Sequence, residues 1–185
     1  MWLFANWKEL NMPIPFEADR FMEHLCDATA VIPWQYFQLP VFSKEDPIYR
    51  ERVYCYELYH QLRMILEQDG ALAGYTLSGE IDKQGHPVIR RCAPDFVFHN
   101  PGYMENLIVV EVKPINAAVE GIRKDRETLE YFLSTEVRYQ AGVELIYGGD
   151  EQALAPFQDV FADADRERIR LIWHQQPRER ARVIR

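Results

Sequence analysis

Residues 94–114 read PDFVFHNPGYMENLIVVEVKP, and this stretch decides the fold. LIVVEV, residues 107–112, is a short, dense run of β-branched and aliphatic residues, the pattern of a central strand buried on both faces. Pro114 ends it, because proline cannot donate to a ladder. Before it, Asn100-Pro101-Gly102 makes a turn, and a preceding strand is expected from about Val88 to Phe98. Two strands joined in this way carry three charges in apolar surroundings: Asp95 in APDFVF, and Glu111 and Lys113 in LIVVEVK. Burying such groups is costly unless they are paired or bind a cation.

Side chains alternate across a strand, so Glu111 and Lys113 share one face and Val110 and Val112 the other. By the same rule Asp95 shares a face with Val97, against Phe96 and Phe98. If the two strands are neighbours, one register brings Asp95 beside Glu111 and Lys113. Two carboxylates of this kind suit Mg²⁺ or Mn²⁺, which use few protein ligands and keep several waters.

Outward from this centre the chain alternates helices and strands. A helix is expected from Pro15 to about Ala28, with Pro15 near its first turn. VIPWQYFQLPVF reads as an extended segment broken by Pro33 and Pro40. A stronger helix runs from Ile48 to Gln68, its apolar residues Cys55, Leu58, Leu62, Ile65 and Leu66 at helical spacing, and Asp69-Gly70 stops it. A strand from about Gly74 to Ile81 follows, then a turn at DKQGHP. After Pro114 come a helix from about Ala117 to Leu133, the strand VELIY, a polar helical piece near 151–166 and the strand RIRLIWH. This order predicts one α/β domain with a mixed sheet flanked by helices. It divides into an aromatic-rich extension (1–47), a core (48–147) and a C-terminal helix, strand and Arg-rich tail (148–185).

At 185 residues the chain suffices for one domain with a real core. Its charge is uneven. Residues 166–185 hold seven Arg and two Glu, net +5, while residues 1–165 hold fourteen Lys and Arg against twenty-seven Asp and Glu, net −13. An acidic body argues against nonspecific, high-affinity binding to nucleic acid by the chain alone. It points instead to a homo-oligomer or a protein partner, or to cations. Of 24 aromatic residues, 13 fall within 1–59, which suits core packing or a contact surface. Cys26, Cys55 and Cys92 form neither a disulfide framework nor a zinc spacing, and MWLFANWKEL does not read as a signal peptide. A reduced, cytoplasmic protein with no membrane span is expected. No phosphate-binding or dinucleotide glycine loop, H-E-x-x-H or G-x-S-x-G occurs, so ATPase, dinucleotide, zincin and serine-hydrolase chemistry are not indicated.

Pro94-Asp95, followed after 16 residues by Glu111-Val112-Lys113, resembles the motif of the PD-(D/E)XK nuclease superfamily. The order of elements over residues 48–147 resembles that family's restriction-endonuclease-like αβββαβ core. The resemblance implies a Mg²⁺- or Mn²⁺-dependent nuclease acting on DNA. Asp95 and Glu111 would be metal ligands, joined by the backbone carbonyl of Val112, and Lys113 would be the catalytic lysine. Glu57, on the helix before the first strand, matches a further acidic position that reaches the metal directly or through water. Arg123 and Lys124 match a basic position on the helix after the motif, where they would contact substrate. A module that keeps the nuclease fold and binds nucleic acid or assembles without cleaving is the alternative.

Each residue also has a plainer role open to it. Asp95 can satisfy a turn. Glu111 and Lys113 can form a cross-strand ion pair. Glu57, His60, Arg123 and Lys124 can lie on solvated helix faces, and the tail can be a frayed end or a phosphate contact.

Overall fold

The computed structural model of the chain describes residues 15–42, 45–79, 93–103 and 105–185. The expected turn at DKQGHP, the first part of the strand expected from Val88, and Cys92 lie outside them.

Among the described residues one six-stranded sheet organises the fold, with spatial order β1 (Thr76–Gly79), β2 (Phe96–Asn100), β3 (Glu105–Pro114), β4 (Ala141–Tyr147), β5 (Ile169–His174) and β6 (Arg182–Val183). β1, β2 and β3 are antiparallel neighbours, β3, β4 and β5 run parallel, and β6 returns antiparallel along β5. The chain is therefore α/β with a mixed sheet, as expected. β3 is the centre, and Leu107 to Val112 are all at most 6% exposed. Parallel neighbours need a crossover, which here is helix α4 (Val119–Phe132) between β3 and β4.

Helices cover both faces. On one, α1 (Phe16–Thr29) and α3 (Glu51–Leu66) lay Phe21, Leu25, Tyr54, Leu58 and Leu62 against Phe96, Phe98, Val110 and Val112. On the other, Ile122, Leu129 and Phe132 of α4 and Phe157 of α5 (Ala155–Val160) pack on Val97, Val109 and Ile146. The strict alternation of strand side chains between these two cores places Glu111 and Lys113 on the α4 face.

Two expectations change. Pro33 does not continue an extended segment; it precedes the short helix α2 (Trp34–Phe37), which seats Phe37 on Tyr147 and His174 with ring centroids 5.5 and 4.9 Å away. Proline before a helix costs nothing, since the first N–H groups lack partners anyway. The helical piece expected over 151–166 is shorter: a 3₁₀ turn at Gln152–Leu154 leads into α5, which ends at Val160. Phe161 ends it with φ −95° and ψ 6°, outside the helical well, and the chain beyond turns while Phe161 and Ala164 stay buried.

The tail is not a frayed end. The Arg180 guanidinium pairs with Glu23 and, at 2.6 Å, with Asp27, both on α1. Arg185 donates to the carbonyls of Phe161 and Ala164, and Arg182 lies 5.0 Å over the Trp173 ring. These arginines are structural staples between the C-terminus and the body.

At the end of β4, Gly148 and Gly149 adopt φ of +90° and +69°. A side chain at Gly148 would also collide with the Tyr49 ring. Among the described residues no helix is long and apolar enough to cross a membrane. Cys26 and Cys55 are buried free thiols.

Candidate active site

The register between β2 and β3 pairs Phe96 with Val110, so the next position outward sets Asp95 opposite Glu111. Asp95 stands just before the ladder begins, and its Oδ2 accepts a hydrogen bond of 2.8 Å from the Val112 N–H. The carboxylate thus takes the place of a ladder acceptor where Pro94 precedes the strand. Its burial pushes its pKa up to about 6, although the Val112 N–H opposes the shift. Glu111 is 6% exposed, and burial, then the nearby charge of Asp95, holds its carboxyl well above the usual range.

Lys113 is bracketed from both layers. Its Nζ lies 3.0 Å from Oε2 of Glu51 at the start of α3 and 3.1 Å from Oδ2 of Asp125 on α4. Burial disfavours the ammonium, but Asp125 and Glu51 outweigh it, so the lysine stays charged above its ordinary range. Asp125 itself is pushed up to about 6 by burial, with Lys113 opposing.

A further acid completes the set. The parallel register pairs Glu111 with Glu144 on β4. Glu144 is fully buried, and neither carboxyl oxygen has a hydrogen-bond partner among the described residues. Burial, then the charges of Asp125 and Glu111, hold it far above the usual carboxyl range.

Asp95, Glu111 and Lys113 therefore meet where β2 begins and β3 ends, on one face of the sheet, as the alternation of strand side chains predicted. Glu57 does not join them. Its carboxylate accepts a hydrogen bond of 2.8 Å from Gln61 on its own helix. Glu51 is the α3 acid at the site. Six helical residues turn the chain by roughly 240°, so Glu57 lies about 120° away from the Glu51 direction. His60, Arg123 and Lys124 are exposed. Lys124 acts on Asp125 only through its charge, and Arg123 lines a groove of about 640 Å³ between α4 and α5 that no site carboxylate enters.

Glu51, Asp125 and Glu144 were missed in the sequence, yet two carried a signal. Glu144 interrupts the apolar strand GVELIY as Glu111 interrupts LIVVEV. Asp125 falls on the apolar stripe Ile122, Leu129, Phe132 of α4.

Among the described residues no group of three or more His, Cys, Asp or Glu side chains is arranged to hold a metal ion. The donor set nonetheless fits Mg²⁺ or Mn²⁺. It offers hard oxygen from Asp95 and Glu111, two acids whose charges oppose each other, and these ions need only one or two carboxylates.

No protein-family model matches the chain, and no curated protein matches its sequence.

Proposed function

We propose that this protein is a metal-dependent nuclease of the PD-(D/E)XK type, hydrolysing phosphodiester bonds in DNA. One observation supports this above the others: Asp95 is tied to the backbone next to Glu111, with the Lys113 ammonium at the same end of β3. Asp95, Glu111 and the Val112 carbonyl would hold Mg²⁺ or Mn²⁺. Bound there, the ion would supply Lewis acidity toward a phosphoryl oxygen and a lowered pKa for water.

The chain's own groups have distinct tasks. The Val112 N–H fixes the Asp95 carboxylate and leaves it no rotational search before binding. Burial of Glu111 keeps bulk water from competing for its oxygens. Lys113 keeps its proton because Asp125 and Glu51 stabilise the ammonium, so it serves as a fixed positive charge for a phosphate in the transition state and not as a base. Among the described residues the body is acidic, and Arg180, Arg182 and Arg185 of the tail are engaged with it. Cations, a second copy or a partner protein then bring the substrate to the site.

A non-cleaving module on the same fold is the second reading, favoured by one observation: Lys113 already has two anionic partners. Incubation with linear, circular and single-stranded DNA and with RNA, in Mg²⁺, Mn²⁺ or EDTA, separates the two. Ion-dependent cleavage that is lost in Asp95→Asn supports the nuclease; intact substrate under every condition supports the module.

A further inference from the structure

The two ion pairs on Lys113 are unequal. The Asp125 side chain is 6% exposed and the Lys113 side chain 16%, whereas that of Glu51 is 37% exposed. Asp125 lies beneath α4 among its core residues. Parting it from the ammonium would leave a lone buried carboxylate, which is strongly unfavourable. Glu51 stands at the rim, where an ion pair with a solvated carboxylate is worth little. It is also the first residue of α3, and the unpaired N–H groups of a helix start favour a carboxylate whether or not Lys113 is present. Of the two partners, Glu51 is the one that can leave.

We propose that Glu51 occupies, on Lys113, the place of a substrate phosphate and exchanges with it, while Asp125 remains to hold the ammonium in position. This rests on the reading that Lys113 faces a phosphate. The chemistry of exchange is simple. A lysine ammonium is a point charge with three donors, and it accepts a carboxylate or a phosphate oxygen alike. No bond other than hydrogen bonds forms or breaks. Glu51 then governs how tightly substrate binds, because each binding event must first displace it.

Binding of a fluorescein-labelled DNA oligonucleotide to the full chain in EDTA, followed by fluorescence anisotropy, tests this without cleavage. Glu51→Gln is expected to tighten binding by about fivefold, the factor an exposed ion pair can contribute. Glu57→Gln makes the same change of charge on the same helix and is expected to leave affinity unchanged. The Glu51→Gln gain should vanish in a Lys113→Met background. A second measurement does not depend on that variant folding: the NMR signal of the Lys113 Cε methylene should move with pyrophosphate at lower concentration in Glu51→Gln than in the wild type. Equal tightening by Glu57→Gln, a gain that survives Lys113→Met, or no gain in Glu51→Gln each overturns the exchange. A wild type that never cleaves with Mg²⁺ or Mn²⁺ but shows these binding differences sinks the nuclease and keeps the exchange. One that cleaves but shows no differences does the reverse.

Discussion

Asp95 Oδ2 accepts a 2.8 Å hydrogen bond from the N–H of Val112, the residue between Glu111 and Lys113. One side chain thereby locks the relative position of two strands and of all three charged groups. An oxygen is needed for the lock and a charge for a cation, and substitution separates these needs. Asp95→Asn keeps an oxygen for Val112 and should fold with stability within about 1 kcal/mol of wild type, since a neutral hydrogen bond is worth about that much. It should lose Mn²⁺ binding, measured by calorimetry, and ~10²-fold or more of any cleavage. Asp95→Ala orphans the Val112 N–H and should cost a further ~1–3 kcal/mol in urea denaturation.

Lys113 joins the helical layers on either side of the sheet through Glu51 and Asp125. Removing the ammonium leaves Asp125 without its cation. Lys113→Met should destabilise the fold by up to about 3 kcal/mol, the lower end for breaking a buried pair. Adding Asp125→Asn should recover part of that loss, because the stranded charge goes with it. Turnover should fall by ~10²-fold in Lys113→Met and should not return in the double variant. Restored cleavage there would remove Lys113 from the chemistry.

The sheet and the meeting of Asp95, Glu111 and Lys113 were legible because strand alternation is a local rule: apolar runs locate the strands and parity assigns the faces. The acid on α3 was not. The helix was expected from Ile48 and begins at Glu51, and a shift of three residues at a helix start leaves the face of Glu51 undefined. Which of Glu51 and Glu57 faces the sheet depends on how α3 docks, a tertiary fact. Asp125 and Glu144 were readable as charges in apolar patterns. Glu144 meets Glu111 through the parallel pairing of β3 with β4, and Asp125 meets Lys113 through the docking of α4, neither of which a local pattern specifies. The short α2 was hidden by prolines that start helices as readily as they break strands.

Stability should rise as pH falls from 8 toward 5 when no divalent ion is present. Asp95 and Asp125 have pKa values pushed up to about 6 by burial, above the ordinary 3.8. The folded state thus binds protons more tightly than the unfolded chain. The stabilisation is complete below the unfolded value and is lost as pH rises through the folded one. Each group supplies at most about 3 kcal/mol, and their coupling makes the sum smaller. Asp69 has the opposite sign: its hydrogen bond from Arg20, then that with His24, holds its pKa well below the usual range, so its contribution fades only in stronger acid. Thermal melts in EDTA at pH 5, 6, 7 and 8 should show the trend, and Asp125→Asn should flatten it. Melts that rise with pH across this window would contradict the burial assigned to the two acids.

Glu144 offers the sharpest test of the acidic centre. Its carboxyl is fully buried, has no partner on either oxygen among the described residues, and sits in register with Glu111. Burial, followed by the charges of Asp125 and Glu111, raises its pKa well above the usual carboxyl range and so favours the protonated form. A neutral carboxyl so placed still forfeits the hydrogen bonds it made with water, at roughly 1–3 kcal/mol. Leucine has a similar volume and no such cost. Its neighbour across the strand pair is Leu171 of β5, so an apolar side chain suits the position. Glu144→Leu should therefore stabilise the protein in EDTA by about 1–3 kcal/mol, equivalent to roughly 2–4 °C in melting temperature per kcal/mol for a chain of this size. Glu144→Gln keeps two polar atoms in the same pocket and should change stability little. A leucine variant less stable than wild type would mean that the carboxyl is partnered in solution, and a loss that appears only with Mn²⁺ present would identify that partner as the cation.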